Sequence, residues 1–379
     1  MPAEPDRLRI LHVLLSIGET SAPYNEHCLA AVHKREIAVC TYFPSRVIPP
    51  QTIALFEGDG SPTGFVCALK AALASRAWDI IHVHAPQAAL VLLATHLWAR
   101  RELRAASVYT VHNSFHNYKV RNRLLLIPTF LCFRRVVCCS RVARDSFPRL
   151  FRRLAGGRLC VVQNGVDIDR LDRIVATGST RDGAFTVTSV GQLIERKDPQ
   201  CVLDAFAAAD DRQSRLVFVG AGHLRERLTG QIRARGIADR VEFTGLVPRE
   251  TVYEHLSRAH VFVSASRGEG LPVAVLEAMA CRCPVVLSDI PPHREIAAGT
   301  DFIRLVPPGD VDAFAREVKK FRAMSPDERM AIGQKCREVA ECRFSLRAMH
   351  AGYENVYTQV LDGRPETRPR GSRQPTRCS

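Results

Sequence analysis

The residues best suited to chemistry concentrate in Ser264-Ala-Ser-Arg-Gly-Glu-Gly-Leu-Pro-Val-Ala-Val-Leu-Glu-Ala-Met-Ala280. A strand reads to Ser264, a glycine-containing loop follows, and Pro272 stands where a helix begins. Such a loop offers free backbone N–H groups and the positive end of a helix dipole, which suits a phosphate. Two carboxylates belong to this stretch, Glu269 in the loop and Glu277 in the helix. Val273, Leu276, Glu277 and Ala280 share one helical face, so Glu277 is a carboxylate on an apolar stripe. Buried there, it needs a donor. Ligand hydroxyls, a bound cation or a structural salt bridge would each serve.

A second set follows the strand ending near Gly191, in Val190-Gly-Gln-Leu-Ile-Glu-Arg-Lys-Asp-Pro199. Arg196 and Lys197 are two cations at the C-terminal edge of a strand, where they face the expected crevice. They can neutralise a diphosphate leaving group; a solvated loop pair is the other reading. His112 ends the strand that begins at Ser107, and Asn113 follows it. Alone, such a histidine reads as structural or as catalytic. His82 and His84 lie two apart on a strand, hence on one face. The sequence places no further zinc ligands beside them, so no metal is expected. Gly18 follows the first strand, and Gly245 and Leu246 follow a strand of the second half. Gly220-Ala-Gly222 lacks a third glycine at Arg225 and fails as a dinucleotide fingerprint. No Gly-x-x-x-x-Gly-Lys loop and no Gly-x-Ser-x-Gly elbow occurs.

The elements that would position these residues follow one grammar, repeated twice. Strands read at Ile10–Leu15, Ile37–Tyr42, Ile80–His84, Ser107–His112, Val136–Cys139 and Leu159–Val162. Their near-continuous apolar character fits parallel strands covered on both faces. Helical stretches read near Tyr24–His33, Gly64–Ser75, Gln87–Glu102 and Arg141–Leu150, the last with Ser140 as N-cap. After the turn signal in Gln163-Asn-Gly-Val-Asp167, polar sequence runs to about Gly183. The pattern then restarts. Strands read at Thr186–Val190, Arg215–Val219, Val241–Thr244, Val261–Ser264, Val285–Leu287 and Ile303–Val306. Helices read at Gln200–Ala209, His223–Arg235, Arg249–Ala259, Val273–Cys281 and Val311–Met324. The expected class is α/β, with two doubly wound, Rossmann-like domains facing a cleft. The expected divisions are domains at 1–168 and 185–345, a linker at 169–184, a closing helix at 346–361 and a disordered basic tail at 362–379.

A chain of 379 residues fits about two domains. The formal net charge of +14 favours anionic partners such as nucleotides, phosphorylated lipids or membrane surfaces. No nucleic-acid module is recognisable, and no nucleic-acid partner is expected. Of the 13 cysteines, Cys40, Cys138, Cys139, Cys160 and Cys201 sit within or beside apolar runs, and no Cys-x-x-Cys pair occurs, which suits a reduced cytoplasmic compartment. The N-terminus reads as no signal peptide, and no apolar run reaches the ~18 residues of a membrane span. Lys119–Arg135 is apolar with basic flanks. It reads equally as a core helix with basic ends or as a segment resting on an anionic membrane, peripheral to the cytoplasmic face.

Taken in order, these stretches resemble one family, the retaining GT-B glycosyltransferases of the large "glycosyl transferases group 1" family. Asp79-Ile-Ile-His-Val-His84 resembles the family's Asp-Val-Ile-His-x-His strand. Val162-Gln-Asn-Gly-Val-Asp167 resembles its interdomain Pro-Asn-Gly-Val-Asp. Gly191–Lys197 resembles its Gly-Arg-Leu-x-x-x-Lys loop. Glu269-Gly-Leu-Pro through Glu277-Ala-Met-Ala280 matches its paired-glutamate motif.

The resemblance implies a retaining transfer of a hexose or N-acetylhexosamine from a nucleotide-sugar to a glycan or glycolipid acceptor, without metal or other cofactor. It makes the first domain the acceptor side and the second the nucleotide-sugar side. It implies that Glu269 contacts sugar hydroxyls, Glu277 holds the ribose, and amides around Gly270 and Leu271 meet the diphosphate. Lys197 stabilises the leaving group and His112 lies beside the sugar. The loop holding Gly18 shapes acceptor entry, and Gly245–Val247 belongs to base recognition. The family's usual arginine after the glycine is Gln192 here, and Arg196 is read as replacing its charge. Two other readings share the architecture: a nucleotide-sugar epimerase or phosphorylase, the latter lacking a pyridoxal lysine motif, and a catalytically silent nucleotide-sugar-binding partner.

Overall fold

The computed structural model describes residues 7–363, apart from 20, 98–103, 176–180, 182 and 210–211. The first sheet contains β1 (Arg9–Leu14), β2 (Glu36–Thr41), β3 (Ile53–Glu57), β4 (Ile80–Val83), β5 (Ser107–Val111), β6 (Arg135–Cys138) and β7 (Leu159–Val161). Its order is β3-β2-β1-β4-β5-β6-β7, with every pairing parallel. The second sheet contains β8 (Thr186–Val190), β9 (Arg215–Val219), β10 (Val241–Gly245), β11 (Val261–Ser264), β12 (Val285–Ser288) and β13 (Arg304–Val306). It is parallel too, in the order β10-β9-β8-β11-β12-β13. In each sheet the order reverses beside the first strand, which opens a crevice at the strand C-termini.

The first domain carries α1 (Pro62–Ser75), α2 (Pro86–Leu92), α3 (Val120–Cys132), α4 (Arg141–Asp145) and α5 (Arg149–Ala155). The chain crosses through α6 (Ile168–Val175) to α7 (Pro199–Ala208), α8 (Arg225–Ala234), α9 (Arg249–Arg258), α10 (Val273–Ala280), α11 (Pro291–Ala297), α12 (Val311–Ala323) and α13 (Pro326–Phe344). It returns through α14 (Leu346–Leu361). The crossing is tied by a two-residue parallel bridge, Val166 N–H to Phe344 O and Leu346 N–H to Val166 O, both 2.8 Å. Gly165 lies so close that a Cβ there would sit 2.6 Å from Ser345 O. This is the physical requirement behind the Asn-Gly of the crossing segment.

Although α14 follows the second domain in sequence, it belongs to the core of the first. Met349, Tyr353, Val356, Tyr357 and Val360 pack on Ile10, Ile80, Val108 and Val137 of the central strands. Each such burial is worth roughly 1.5–3 kcal/mol, so α14 is a fixed wall of that domain.

Several elements differ from the sequence expectation: the helix expected at Arg141–Leu150 is two, α4 and α5, and that near Tyr24–His33 is a π-helical stretch and a 3-10 turn. Strand β3 lies in a stretch that reads as loop, and α6 occupies part of the expected linker. Helices α11 and α13 fall where the sequence pattern predicts none. Residues 176–180 and 182 of that linker, and 364–379 of the expected tail, lie outside the described residues. Lys119–Arg135 forms α3 over Val120–Cys132, one face buried and one exposed. Leu126, Thr129 and Phe130 of α3 are buried, while Val120, Leu124 and Leu131 are exposed. Among the described residues, no helix is long and apolar enough to cross a membrane. The twelve described cysteines are free thiols, nine of them buried.

Candidate active site

The site is built where β8 ends. Gly191 has φ +152° and packs against the Lys197 stem, a Cβ there lying at ordinary contact distance, 3.6 Å, from Lys197 Cδ. A short 3-10 turn, Glu195–Lys197, then projects Arg196 and Lys197. Asp198, in the left-handed region at φ 47°, stops that turn. Its carboxylate caps α7 by accepting from Cys201 N–H at 3.2 Å, and it also accepts from Arg267 Nε at 2.8 Å.

Lys197 Nζ donates to Glu269 Oε1 at 2.5 Å. Burial pushes the Glu269 carboxyl up, but the Lys197 charge and hydrogen bond, with help from His293 and the Ser266 hydroxyl, hold it below the usual carboxylate range. Glu269 is therefore ionised at neutral pH. Arg196 turns into the cleft, donating to Asn113 Oδ1 at 3.2 Å and to Gly268 O at 3.4 Å.

A cavity of about 330 Å³ adjoins this corner. Gln192, Arg196, Lys197, Gly245, Leu246, Arg249 and Glu277 lie along it. Glycines make the walls thin. A Cβ at Gly220 would lie 2.1 Å from Gly191 O, and one at Gly222 2.3 Å from Leu193 O. Gly220-Ala-Gly222, uninformative as a motif, thus allows the β9 loop to lie against the β8 loop.

Glu277 has the partner its apolar stripe demanded. Arg249, the first residue of α9, brings Nη2 to 2.7 Å from Glu277 Oε1. The contact is an ion pair and not an aligned hydrogen bond. The same guanidinium donates to Glu26, which reaches over from the first domain. All three side chains are buried. One cation serves two carboxylates, and burial answers the excess negative charge by raising both acids, Glu26 to about 8.

The loop carrying Glu269 is held by the first domain through its carbonyls. Ser114 Oγ and Asn117 Nδ2 donate to Glu269 O at 2.9 and 3.0 Å. Ser140 Oγ donates to Gly270 O at 3.0 Å, and Asn164 Nδ2 to Leu271 O at 2.9 Å. Gly270 and Leu271 are buried at this junction, not along the cavity. A Cβ on Gly270 would sit 2.1 Å from His112 O and 2.9 Å from Cys139 Sγ. Gly270→Ala must push the loop off the first domain. A stability loss of about 1–3 kcal/mol is expected, the usual range for overpacking, read by urea denaturation.

The structure thus joins Lys197, Arg196, Glu277, Gly245 and Leu246 around one space, with Glu269 behind Lys197 as its ion-pair partner. His112 is half-buried beside Asn113, with its carbonyl against Gly270, and is not among the residues along the cavity. Gly18 is set apart on the loop after β1, where a Cβ would meet only Arg46 Cβ at 3.9 Å. The first domain's contribution to the cavity wall is Ala22. Sequence reasoning passed over Glu26, Arg249 and the carbonyl clamps Ser114, Asn117, Ser140 and Asn164. Arg249 had a readable signal. With Val252, Tyr253 and Leu256 it lies on the buried face of α9, the logic already applied to Glu277.

Two doubly wound sheets, with a cation-lined cavity at their strand C-termini, are the architecture of a GT-B glycosyltransferase. The chain matches the family described as Glycosyltransferase Family 4 over residues 29–170 and that described as Glycosyl transferases group 1 over residues 173–339. It belongs to the glycosyl transferases group 1 family and is a glycosyltransferase.

An exopolysaccharide phosphotransferase of Streptomyces coelicolor is 26% identical over 375 residues. That alignment takes in 96% of this chain but 36% of the relative, so this chain spans about a third of that protein's length. A GDP-mannose:cellobiosyl-diphosphopolyprenol alpha-mannosyltransferase of Komagataeibacter xylinus is 25% identical over 299 residues, 75% of this chain and 72% of the relative. The solved structure of Anabaena HepE in complex with UDP-glucose superposes with a TM-score of 0.70 at 18% identity, covering 94% of this chain and 99% of that one.

Proposed function

We propose that the protein moves a hexose or N-acetylhexosamine from a nucleotide-sugar to a glycan or lipid-linked acceptor, with retention of configuration and without a metal. One observation carries the reading: a single cavity brings together two cations, Arg196 and Lys197, and a buried carboxylate, Glu277. Cations complement a diphosphate. A carboxylate accepts hydrogen bonds from two neighbouring ribose hydroxyls. The GDP-mannose in one relative's name and the UDP-glucose in HepE's complex support a nucleotide-sugar of either base.

In this reading the acceptor hydroxyl forms the new C–O bond as the bond to the diphosphate oxygen breaks. The acceptor's proton leaves with the diphosphate. Lys197 spends one N–H on Glu269 and keeps two for phosphate oxygens. Arg196 supplies the charge that Gln192 lacks, and its orientation toward the cleft supports that role. Together they carry the phosphate charge that a metal would otherwise carry.

A thermal-shift screen against UDP-, GDP-, ADP- and dTDP-sugars tests the donor. One base class is expected to raise Tm in the native protein and not in Glu277→Ala. A flat response to all four counts against the reading.

The acceptor is read as membrane-borne and reached from the cytoplasmic side. Val120 is 70% exposed, Leu124 61% and Leu150 59%, on helices α3 and α5, with Lys119, Arg121, Arg152 and Arg153 exposed beside them. Apolar side chains ringed by cations suit an anionic bilayer surface, and a chain of free thiols suits a reducing compartment. The protein is expected to float with vesicles containing phosphatidylglycerol. Val120→Asp/Leu124→Asp should stay in the pellet fraction, and equal flotation of both proteins would refute the surface.

A further inference from the structure

Five histidines, His112 among them, converge at one end of the first sheet. β1, β4 and β5 are neighbours there, and His12 pairs in register with His82. With a period of two, His12, His82, His84, Thr110 and His112 all face the side covered by α14. His27 joins them from a π-helical stretch, Pro23–Cys28, with its ring centroid 4.8 Å from that of His84. His12, His27, His82 and His84 are buried, and burial lowers the pKa of all five rings, leaving them neutral at physiological pH.

Three of these rings form a chain. His12 Nδ1 lies 3.0 Å from His84 Nε2, and His84 Nδ1 lies 3.0 Å from His112 Nε2. A neutral imidazole carries one N–H. Two consecutive bonds between three such rings therefore permit only two proton arrangements. In one, every N–H points outward from His12 toward His112. In the other, every N–H points inward.

Two observations choose between them. His12 Nε2, the inner end, is buried with no hydrogen-bond partner among the described residues. The inward arrangement would put a proton there and leave a buried N–H without an acceptor, the rarer defect. The cation Arg35 also sits at the inner side, over the Tyr357 ring whose hydroxyl is 2.8 Å from His82 Nδ1. Its positive field reaches His12 and favours a lone pair at that end. The outward arrangement satisfies both.

We propose that His12 and His84 are positioning residues that lock His112 in its Nδ1–H tautomer, presenting a fixed hydrogen-bond donor to an oxygen of the substrate bound in the cleft. The part concerning substrate rests on the donor reading given above; the lock itself does not. The same cluster invites a metal-site reading, since His12, His82 and His84 offer nitrogens within 4.8 Å of one another. Yet His82 already spends both nitrogens on Tyr357 and Thr110, and His84 both on His12 and His112. Too few free lone pairs remain for a coordination shell.

The test is 15N NMR of histidine-labelled protein, with the His112 signals assigned by their loss in His112→Gln. In the native protein, His112 is expected to show a protonated Nδ1 and a bare Nε2. In His84→Phe, which keeps a ring but no hydrogen bond, the two signals should move toward a tautomer mixture. His84→Gln, which restores a donor and an acceptor, should recover the native pattern. With a donor in hand, His84→Phe should lower kcat about 10–100-fold, as loss of an orienting partner does elsewhere, with a smaller change in KM. A protonated Nε2 on native His112, a His84→Phe spectrum unchanged from native, or one equivalent of zinc retained by the purified protein would each overturn the lock. A native spectrum as expected, with no donor bound by any variant, would leave the lock standing and sink the donor reading instead.

Discussion

Lys197→Met is expected to lower kcat by about 10²–10³-fold, the usual cost of removing one donor aimed at developing negative charge. The substitution keeps the stem that packs on Gly191 and removes only the charge. It has a second consequence, because Lys197 is what keeps buried Glu269 ionised. Breaking such a pair costs about 3–5 kcal/mol when both partners are buried. Lys197 retains 22% exposure, so the lower end of that range applies.

The pH dependence follows from the sign of the shift. In the native protein the folded pKa of Glu269 lies below its unfolded value. Its contribution is therefore present above the unfolded pKa and lost as pH falls through the folded one. Without Lys197, burial pushes the carboxyl up, and the folded state is penalised increasingly as pH rises. The Tm gap between native and Lys197→Met should widen as pH rises and close in acid, where Glu269 is protonated in both. Lys197→Met/Glu269→Gln should recover the lost stability without recovering kcat. A gap that stays constant from pH 4 to 8 would show that Lys197 acts on substrate alone.

How much of this could be read in the sequence depends on what each residue needs from its neighbours. Glu269, Glu277, Arg196 and Lys197 were legible because each sits where a strand or loop meets a helix, and local pattern locates such places. Most strands were legible because a parallel strand covered on both faces writes its burial as an apolar run. Strand β3 was not, because it is an edge strand following Pro49-Pro50 and is only partly buried. Helix α13 escaped for a different reason. Its buried face is Gly333, Cys336, Arg337, Ala340 and Phe344, of which only the terminal Phe344 is a large apolar residue, too few to write an apolar stripe. Its signal was the capping box formed by Ser325 and Glu328. The histidine cluster was legible only as His82 and His84. His12 and His112 join them through the strand order β1-β4-β5, and His27 through the packing of the stretch Pro23–Cys28 on those strands, which no local pattern specifies. Glu26 was invisible for the same reason, since its partner lies 223 residues away across a domain boundary.

Arg249→Met is expected to be the most damaging single substitution for stability, at about 3–5 kcal/mol. It strands Glu26 and Glu277 together, both buried, with no cation between them. The donor cavity loses a wall residue in the same step, so the thermal shift given by the preferred nucleotide-sugar should fall as well. Glu26→Gln/Arg249→Met should regain part of the stability at the alkaline end, because only one of the two buried carboxyls can then ionise. It should not regain donor binding, because Glu277 still lacks the group that orients it. The wild-type triad carries its own pH signature. The folded pKa of Glu26, about 8, is raised above the unfolded carboxylate value. Its stabilising contribution is thus complete below the unfolded pKa and is lost as pH rises through about 8. Glu26→Gln cannot titrate, so its stability relative to wild type should improve as pH rises across that window, measured by urea denaturation at constant ionic strength. If instead wild type gains on Glu26→Gln with rising pH, Glu26 is ionised in the folded protein, and the Arg249 charge outweighs burial and the neighbouring Glu277.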